Sequence, residues 1–265
     1  LAAQLSDPSA YLTHVERAVE YFTVKGDVRN ACHQRLNLGD AYMQLGDYAR
    51  AEKTLQNVIA IADPMGLVLV APARVNLGFV LARRGKLDEA HQVVVKGLEQ
   101  ASALGLRRFE AVGSGYLAVI QGARGLLRYA EEAAREGVDF AESSPSLLAS
   151  AHAILAGTLL MQNKAPEALL SANAAMAILT ELGTVEEGET LIRLVHATAL
   201  ASTGQMDAAR QAMMRARQRL RERARCIADR RWRRSFLSNV PENVSSLALS
   251  QAWAREPEQA KARSE

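Results

Sequence analysis

Leu38-Gly39-x-x-Tyr42-x-x-x-Gly46-Asp47-Tyr48-x-x-Ala51 is the stretch on which the reading of this chain turns. It returns as Leu77-Gly78-x-x-Leu81-x-x-x-Gly85-Lys86-Leu87-x-x-Ala90, every matched position displaced by 39 residues. The small residue after the inner turn recurs at Ala51, Ala90, Ala130, Ala168 and Ala209, in steps of 39, 40, 38 and 41. A period of this size is the mark of a solenoid, in which each unit packs only on its neighbours.

Within one period the apolar residues follow helical spacing. From Ala31 to Leu45 they fall at 31, 32, 36, 38, 41, 42 and 45. Gly46-Asp47 interrupts the pattern, Tyr48 to Ala62 resumes it, and Asp63-Pro64-Met65-Gly66 ends it with turn chemistry. Pro145 and Pro166 stand where helices start, and Gly26, Gly105 and Gly183 where they stop. Gly39, Gly78, Ala118, Ala156 and Ala197 form a small-residue site where the two helices of a hairpin cross. No run alternates like a strand.

The expected fold is therefore an all-α, right-handed superhelical solenoid of helical hairpins with a C-terminal capping helix. Its parts are a leading half-repeat at 1–26, five hairpins at 27–229, capping helices at 230–255 and a polar, fraying tail at 256–265. In the cap, Trp232, Phe236, Leu237 and Val240 form an apolar stripe able to cover the last hairpin, and Val244 to Trp253 supplies a further helix. Because the chain opens at Leu1 in mid-unit, it reads as a piece of something longer, and the exposed solenoid end offers a homodimer contact.

Aromatics make up only 5% of the 265 residues, which suits slim helices. Cys32 and Cys226 form no motif and fit a reducing, cytoplasmic setting. No apolar run approaches the roughly 20 residues that span a bilayer, so no membrane partner is expected. The net charge of +3 is uneven: between Arg215 and Arg234 ten arginines face only Glu222 and Asp229. Alternate spacing spreads the first six around a helix, which argues for a solvated or docking face over a nucleic-acid site.

Catalytic chemistry is not expected. Gly113-Ser114-Gly115 lacks the Lys-Ser/Thr ending of a phosphate loop and reads as close helix packing. The histidines at 14, 33, 91, 152 and 196 have no partner at metal-ligand spacing. Glu131-Glu132 and Glu186-Glu187 read as solvated carboxylates. The reading is of a non-enzyme without cofactor or metal.

The repeated motif resembles the tetratricopeptide repeat, in a long variety of about 40 residues found in bacterial signalling proteins. The later units depart from it at Ala118, Ala156 and Ala197, and Asn163 stands where a turn glycine belongs. Arg233 to Asn243 resembles the closing segment of large bacterial regulators that join a serine/threonine kinase or another effector to a STAND-type ATPase and a repeat array. The resemblance implies a scaffold that binds a protein or peptide, or other domains of its own parent chain, in a concave groove lined by first helices. Carried onto this register, the peptide-binding set is His33, Asn37, Asp40, Gln44, Asn76, Phe79, Arg83 and Tyr116, with the two asparagines available to an extended peptide backbone. Further along, Val112, Val119, Ile154, Leu160, Met161, Leu191 and Leu194 make an apolar groove, which alternatively would hold a small hydrophobic effector.

Overall fold

The computed structural model describes residues 7–185 and 187–262, so residues 1–6 of the leading half-repeat, Glu186 and the last residues of the tail lie outside it. It is an all-α helical repeat, with thirteen helices and no strand among the described residues. α1 (Pro8–Val24) stands alone. Five hairpins follow: α2 (Val28–Gln44) with α3 (Tyr48–Ala62), α4 (Val70–Arg83) with α5 (Leu87–Ala103), α6 (Arg107–Ala123) with α7 (Leu127–Ala141), α8 (Pro145–Met161) with α9 (Ala165–Leu182), and α10 (Glu189–Ser202) with α11 (Met206–Cys226). Two more helices close the chain, α12 (Arg230–Asn239) and α13 (Pro241–Ala262).

Local sequence explains the hairpin ends. The Asp27 carboxylate accepts a hydrogen bond from the Asn30 amide, and Asp47 from the Arg50 amide, each at 3.1 Å. Each cap satisfies one of the unpaired N–H groups of a helix start, worth about 1 kcal/mol. The turn between the helices of a hairpin requires a left-handed residue. Gly46, Gly85, Gly125 and Gly204 supply it with φ of 77°, 78°, 77° and 81°. In the fourth hairpin Asn163 takes the position at φ 60°, asparagine being a side chain that tolerates this region. The helical register therefore continues through the unit whose turn lacks glycine.

The small-residue site lies where the two helices of a hairpin touch. A Cβ on Gly78 would stand 2.7 Å from the Val94 Cβ and 3.1 Å from the Ala90 carbonyl oxygen, in the facing helix. Ala118, Ala156 and Ala197 are completely buried at the equivalent places, as are Ala51, Ala90, Ala130, Ala168 and Ala209 on the second helices. Gly113 and Gly115 lie within α6, packed against Leu98 and Ile154. Consecutive first helices also touch one another, so α2, α4, α6, α8 and α10 form a continuous inner wall.

The C-terminal segment departs in part from the expected arrangement. The stripe on α12 packs with Leu220 and Ala224 of the last hairpin, as expected, and it also reaches across the concave side to the first one. The Trp232 ring lies 5.9 Å from the Tyr42 ring, and the Asn239 amide donates to the Gly46 carbonyl at 3.3 Å. The Asp229 amide reaches the Ser9 hydroxyl at 3.4 Å, across 220 residues of chain. The cause is the length of α11: at 21 residues it carries the chain beyond the stack. Ile227, just past its end, is 1% exposed and shares a core with Leu12 of α1. The solenoid thus closes into a ring. The N-terminal part of α1 is consequently covered, while Tyr21 and Val24 near its other end stay exposed. Capping of the last hairpin is completed by α13, whose Leu249 and Trp253 pack on the core of α10 and α11; its backbone stays helical through Ala262.

Candidate functional site: a chamber inside the ring

Ring closure turns the concave trough into a chamber of about 480 Å³. The inner wall contributes Asp40, Met43 and Gln44 from α2, Phe79 and Arg83 from α4, Tyr116, Val119 and Ala123 from α6, Ile154, Gly157 and Met161 from α8, and Leu191 from α10. The closing side contributes Arg223 of α11, Phe236 and Val240 at the end of α12, and Glu242 and Asn243 of α13. The volume is in the range of small-ligand pockets, and the lining is mostly apolar.

One aromatic feature dominates the middle of the wall. Phe79 and Tyr116, one repeat apart, stack with centroids 4.3 Å apart and planes 26° from parallel. The Arg83 guanidinium lies 4.5 Å from the Phe79 centroid and forms an ion pair with Glu242, which ties α4 to α13 across the chamber. Asn243, 1% exposed, donates to the Phe236 carbonyl at 2.8 Å and so fixes the junction of α12 and α13.

Two further charged centres stand at the chamber. The first is Asp40, whose Oδ1 accepts from Asn76 Nδ2 at 2.9 Å. Burial, reinforced by the negative charge of Glu187 and only partly opposed by Arg108, pushes its pKa up to about 8. The shift favours the protonated carboxyl, which can donate a hydrogen bond. Burial, with the charges of Glu187 and Asp40, likewise raises the Tyr116 hydroxyl well above its usual value. A small side cavity of about 50 Å³ opens beside this centre, lined in part by Arg108, Val112 and Glu187.

The second centre is built around Glu189, 2% exposed at the start of α10. It accepts from Arg219 Nε at 2.8 Å and from Arg193 Nε at 3.0 Å. Burial pushes this carboxyl up, but the Arg219 hydrogen bond and the charges of Arg223, Arg219 and Arg193 outweigh it and hold the pKa below the usual range. Arg223 completes the cluster from the chamber wall.

Most of the residues expected in the groove therefore share one space: Asp40, Gln44, Phe79, Arg83, Tyr116, Val119, Ile154, Met161 and Leu191 line the chamber, and Val112 lines the side cavity. Asn76 is 6% exposed and serves Asp40. His33 is exposed, Asn37 bonds Gln34 within its own helix at 3.4 Å, Leu160 packs in the core of the α8–α9 hairpin and Leu194 against the α10–α11 core. Phe236, Val240, Glu242 and Asn243 come from outside the repeat grid and carried no periodic signal, while Arg223 lies in the fifth hairpin and was read only as one of a cluster of arginines. The arginine cluster divides. Arg219 and Arg223 turn inward, Arg233 donates twice to the Ile227 carbonyl, and Arg231 approaches Asp47 at 3.9 Å. Arg215, Arg221, Arg225, Arg230 and Arg234 are exposed. Among the described residues no three metal-ligating side chains stand together, and no helix is long and apolar enough to cross a membrane.

Residues 35–63 match the family model of the tetratricopeptide repeat. Comparison with curated proteins finds no significant match. Among solved structures the chain is similar to BtubC (BKLC) from P. vanneervenii, at 18% identity and TM-score 0.62, covering 78% of this chain and 88% of that one. It is similar to a Rap protein complexed with Competence and Sporulation Factor, at 13% identity and TM-score 0.63, covering 94% and 70%. The Rap conjugation gene regulator of plasmid pLS20, in complex with the Phr* peptide, aligns at 12% identity and TM-score 0.61, covering 90% and 73%. At such identities the likeness is one of fold, and the fold is the all-α helical repeat of these solenoids.

Proposed function

We propose that this chain is a non-catalytic interaction module of a larger signalling protein, and that it takes its ligand inside the ring. The observation that carries the reading is the chamber itself: side chains from five successive first helices converge on one space and leave it unfilled. A peptide or chain segment is the first occupant to consider. The Rap conjugation regulator, built on a similar fold, is in complex with the Phr* peptide. A ligand gripped between α2–α10 and the α12–α13 segment would alter the seam that holds α12 on α2, which gives a route by which occupancy reaches neighbouring domains. A second reading, a small apolar effector, is favoured by the lining, to which Met43, Met161, Val119, Val240, Leu191, Phe79 and Phe236 contribute apolar side chains.

Gly157 offers a clean test. It lines the chamber, and a Cβ there would meet only Val195 Cγ1 at an ordinary 3.7 Å. Gly157→Leu should fill the space while the fold stays intact. A photoreactive side chain at Phe79 should crosslink a bound segment in the parent protein or its partner, and Gly157→Leu should abolish that product. A crosslink indifferent to Gly157→Leu would remove the chamber from consideration. A bound mass of small-molecule size in native mass spectrometry, lost with the same substitution, would select the second reading.

A further inference from the structure

Among the described residues, no carboxylate is hydrogen-bonded or ion-paired to Arg223. It lines the chamber, partly buried, and desolvation pulls its pKa below the usual guanidinium range. Glu189, the described carboxylate whose charge acts on it, is engaged by Arg193 and Arg219 through both oxygens. Among the described residues around this centre, Arg193, Arg219 and Arg223 face Glu189 and the half-exposed Glu222, three positive charges against two negative. The other acid on the closing side, Glu242, is held by Arg83. Arg223 also lies over the face of Phe236, 5.8 Å from the ring centroid.

An arginine stays charged under all ordinary conditions. While the chamber holds water, that charge is solvated. A ligand that fills the chamber expels the water, and an apolar or cationic one would leave the guanidinium desolvated and unpaired, at high cost. We propose that the chamber's ligand is a small amphiphilic acid, an apolar body carrying one anionic headgroup that seats on Arg223. The headgroup would accept from the guanidinium fork, and the body would lie along Val240, Leu191 and Met161 toward the Phe79–Tyr116 stack. This inference rests on the chamber being the ligand site, and specifically on the small-effector reading.

The test uses two fluorescent probes on the full chain: 1-anilinonaphthalene-8-sulfonate, and N-phenyl-1-naphthylamine, which has the same apolar body without the anion. The native protein should favour the sulfonate, and Arg223→Met should weaken it about tenfold or more while leaving the neutral probe nearly unchanged. Arg223→Lys, which keeps the charge, should retain a preference for the sulfonate. Gly157→Leu should block both probes. Equal affinity for the two probes in the native chain, or a sulfonate affinity indifferent to Arg223→Met, would overturn the anion assignment while Gly157→Leu sensitivity upheld the chamber. Failure of both probes to bind, or binding of both despite Gly157→Leu, would overturn the chamber reading and this inference with it. Loss of both probes in Arg223→Met together with loss of preference in Arg223→Lys would make Arg223 a packing residue and end the proposal.

Discussion

Two glycines in equivalent turns isolate the contact that closes the ring. Gly46 and Gly85 have φ of 77° and 78°, so replacing either with alanine incurs the same left-handed strain, about 1–2 kcal/mol. Around Gly85 a new Cβ meets nothing within 4 Å. At Gly46 it would stand 3.0 Å from the Asn239 Cβ, 3.2 Å from the Ser235 carbonyl oxygen and 3.2 Å from Val240 Cγ2, all on the C-terminal segment. It would also press on the hydrogen bond from Asn239 to the Gly46 carbonyl. Only Val240 Cγ2 can move by a side-chain rotation, the Asn239 Cβ and the Ser235 carbonyl being fixed by the backbone, so the extra cost is at least the lower end of the overpacking range, about 1 kcal/mol. If α12 lifts from the ring as a unit, that amount raises the open population about fivefold. The assay is hydrogen exchange at residues 230–239, with the fluorescence of Trp232 as a second probe. Gly46→Ala should speed exchange in α12 about fivefold beyond Gly85→Ala, while α7 and α8 exchange alike in both. Equal protection of α12 in the two variants would refute the idea that the Gly46 contact holds the seam.

Other expectations can be checked on the same preparation. Gly78→Ala puts a methyl against the Val94 Cβ and backbone and should destabilise by about 1–2 kcal/mol despite alanine's better helix propensity, whereas Gly157→Ala should be neutral or mildly stabilising; denaturant midpoints decide it. Asp40 has a folded pKa above its unfolded one, so the native state holds the extra proton and stability should fall as pH rises from about 4 toward about 8. Asp40→Asn should flatten that part of the pH–melting profile, and an unaltered slope would count against the raised pKa. Glu131 is the opposite case. Hydrogen bonds from Lys164 and Arg135 hold its pKa down to about 2, so its contribution is present above the unfolded value and lost as pH falls from about 4.5 toward about 2. Glu131→Gln should therefore lower the melting temperature at pH 7 and reduce the loss on acidification, measured by circular dichroism.

Much of this architecture is legible without coordinates, because the decisive signals are local. Gly46-Asp47 announces a turn and a helix cap within two residues, and Gly39 and Gly78 mark crossings within single hairpins. Asn163 shows that the period survives the loss of one such signal, since the requirement is for a left-handed residue and not for glycine itself. The inner wall of the chamber was readable for the same reason: Phe79 and Tyr116 occupy related positions, and stacking of units brings them together.

The closing side of the site has no such signature. Trp232, Phe236 and Val240 read equally well as a lid for the hairpin before them, and only the accumulated curvature of five units brings the first hairpin within their reach. In the same way ten arginines look alike in the sequence, and the fold alone separates those on the surface from Arg219, spent on Glu189, and Arg223, left facing the chamber. Period, hairpin, turn and crossing are properties of neighbours along the chain, so the sequence alone determined them. Ring closure, the charge balance of the chamber and the raised pKa of Asp40 depend on groups up to 220 residues apart, whose distances no local pattern encodes, and the tertiary structure decided them.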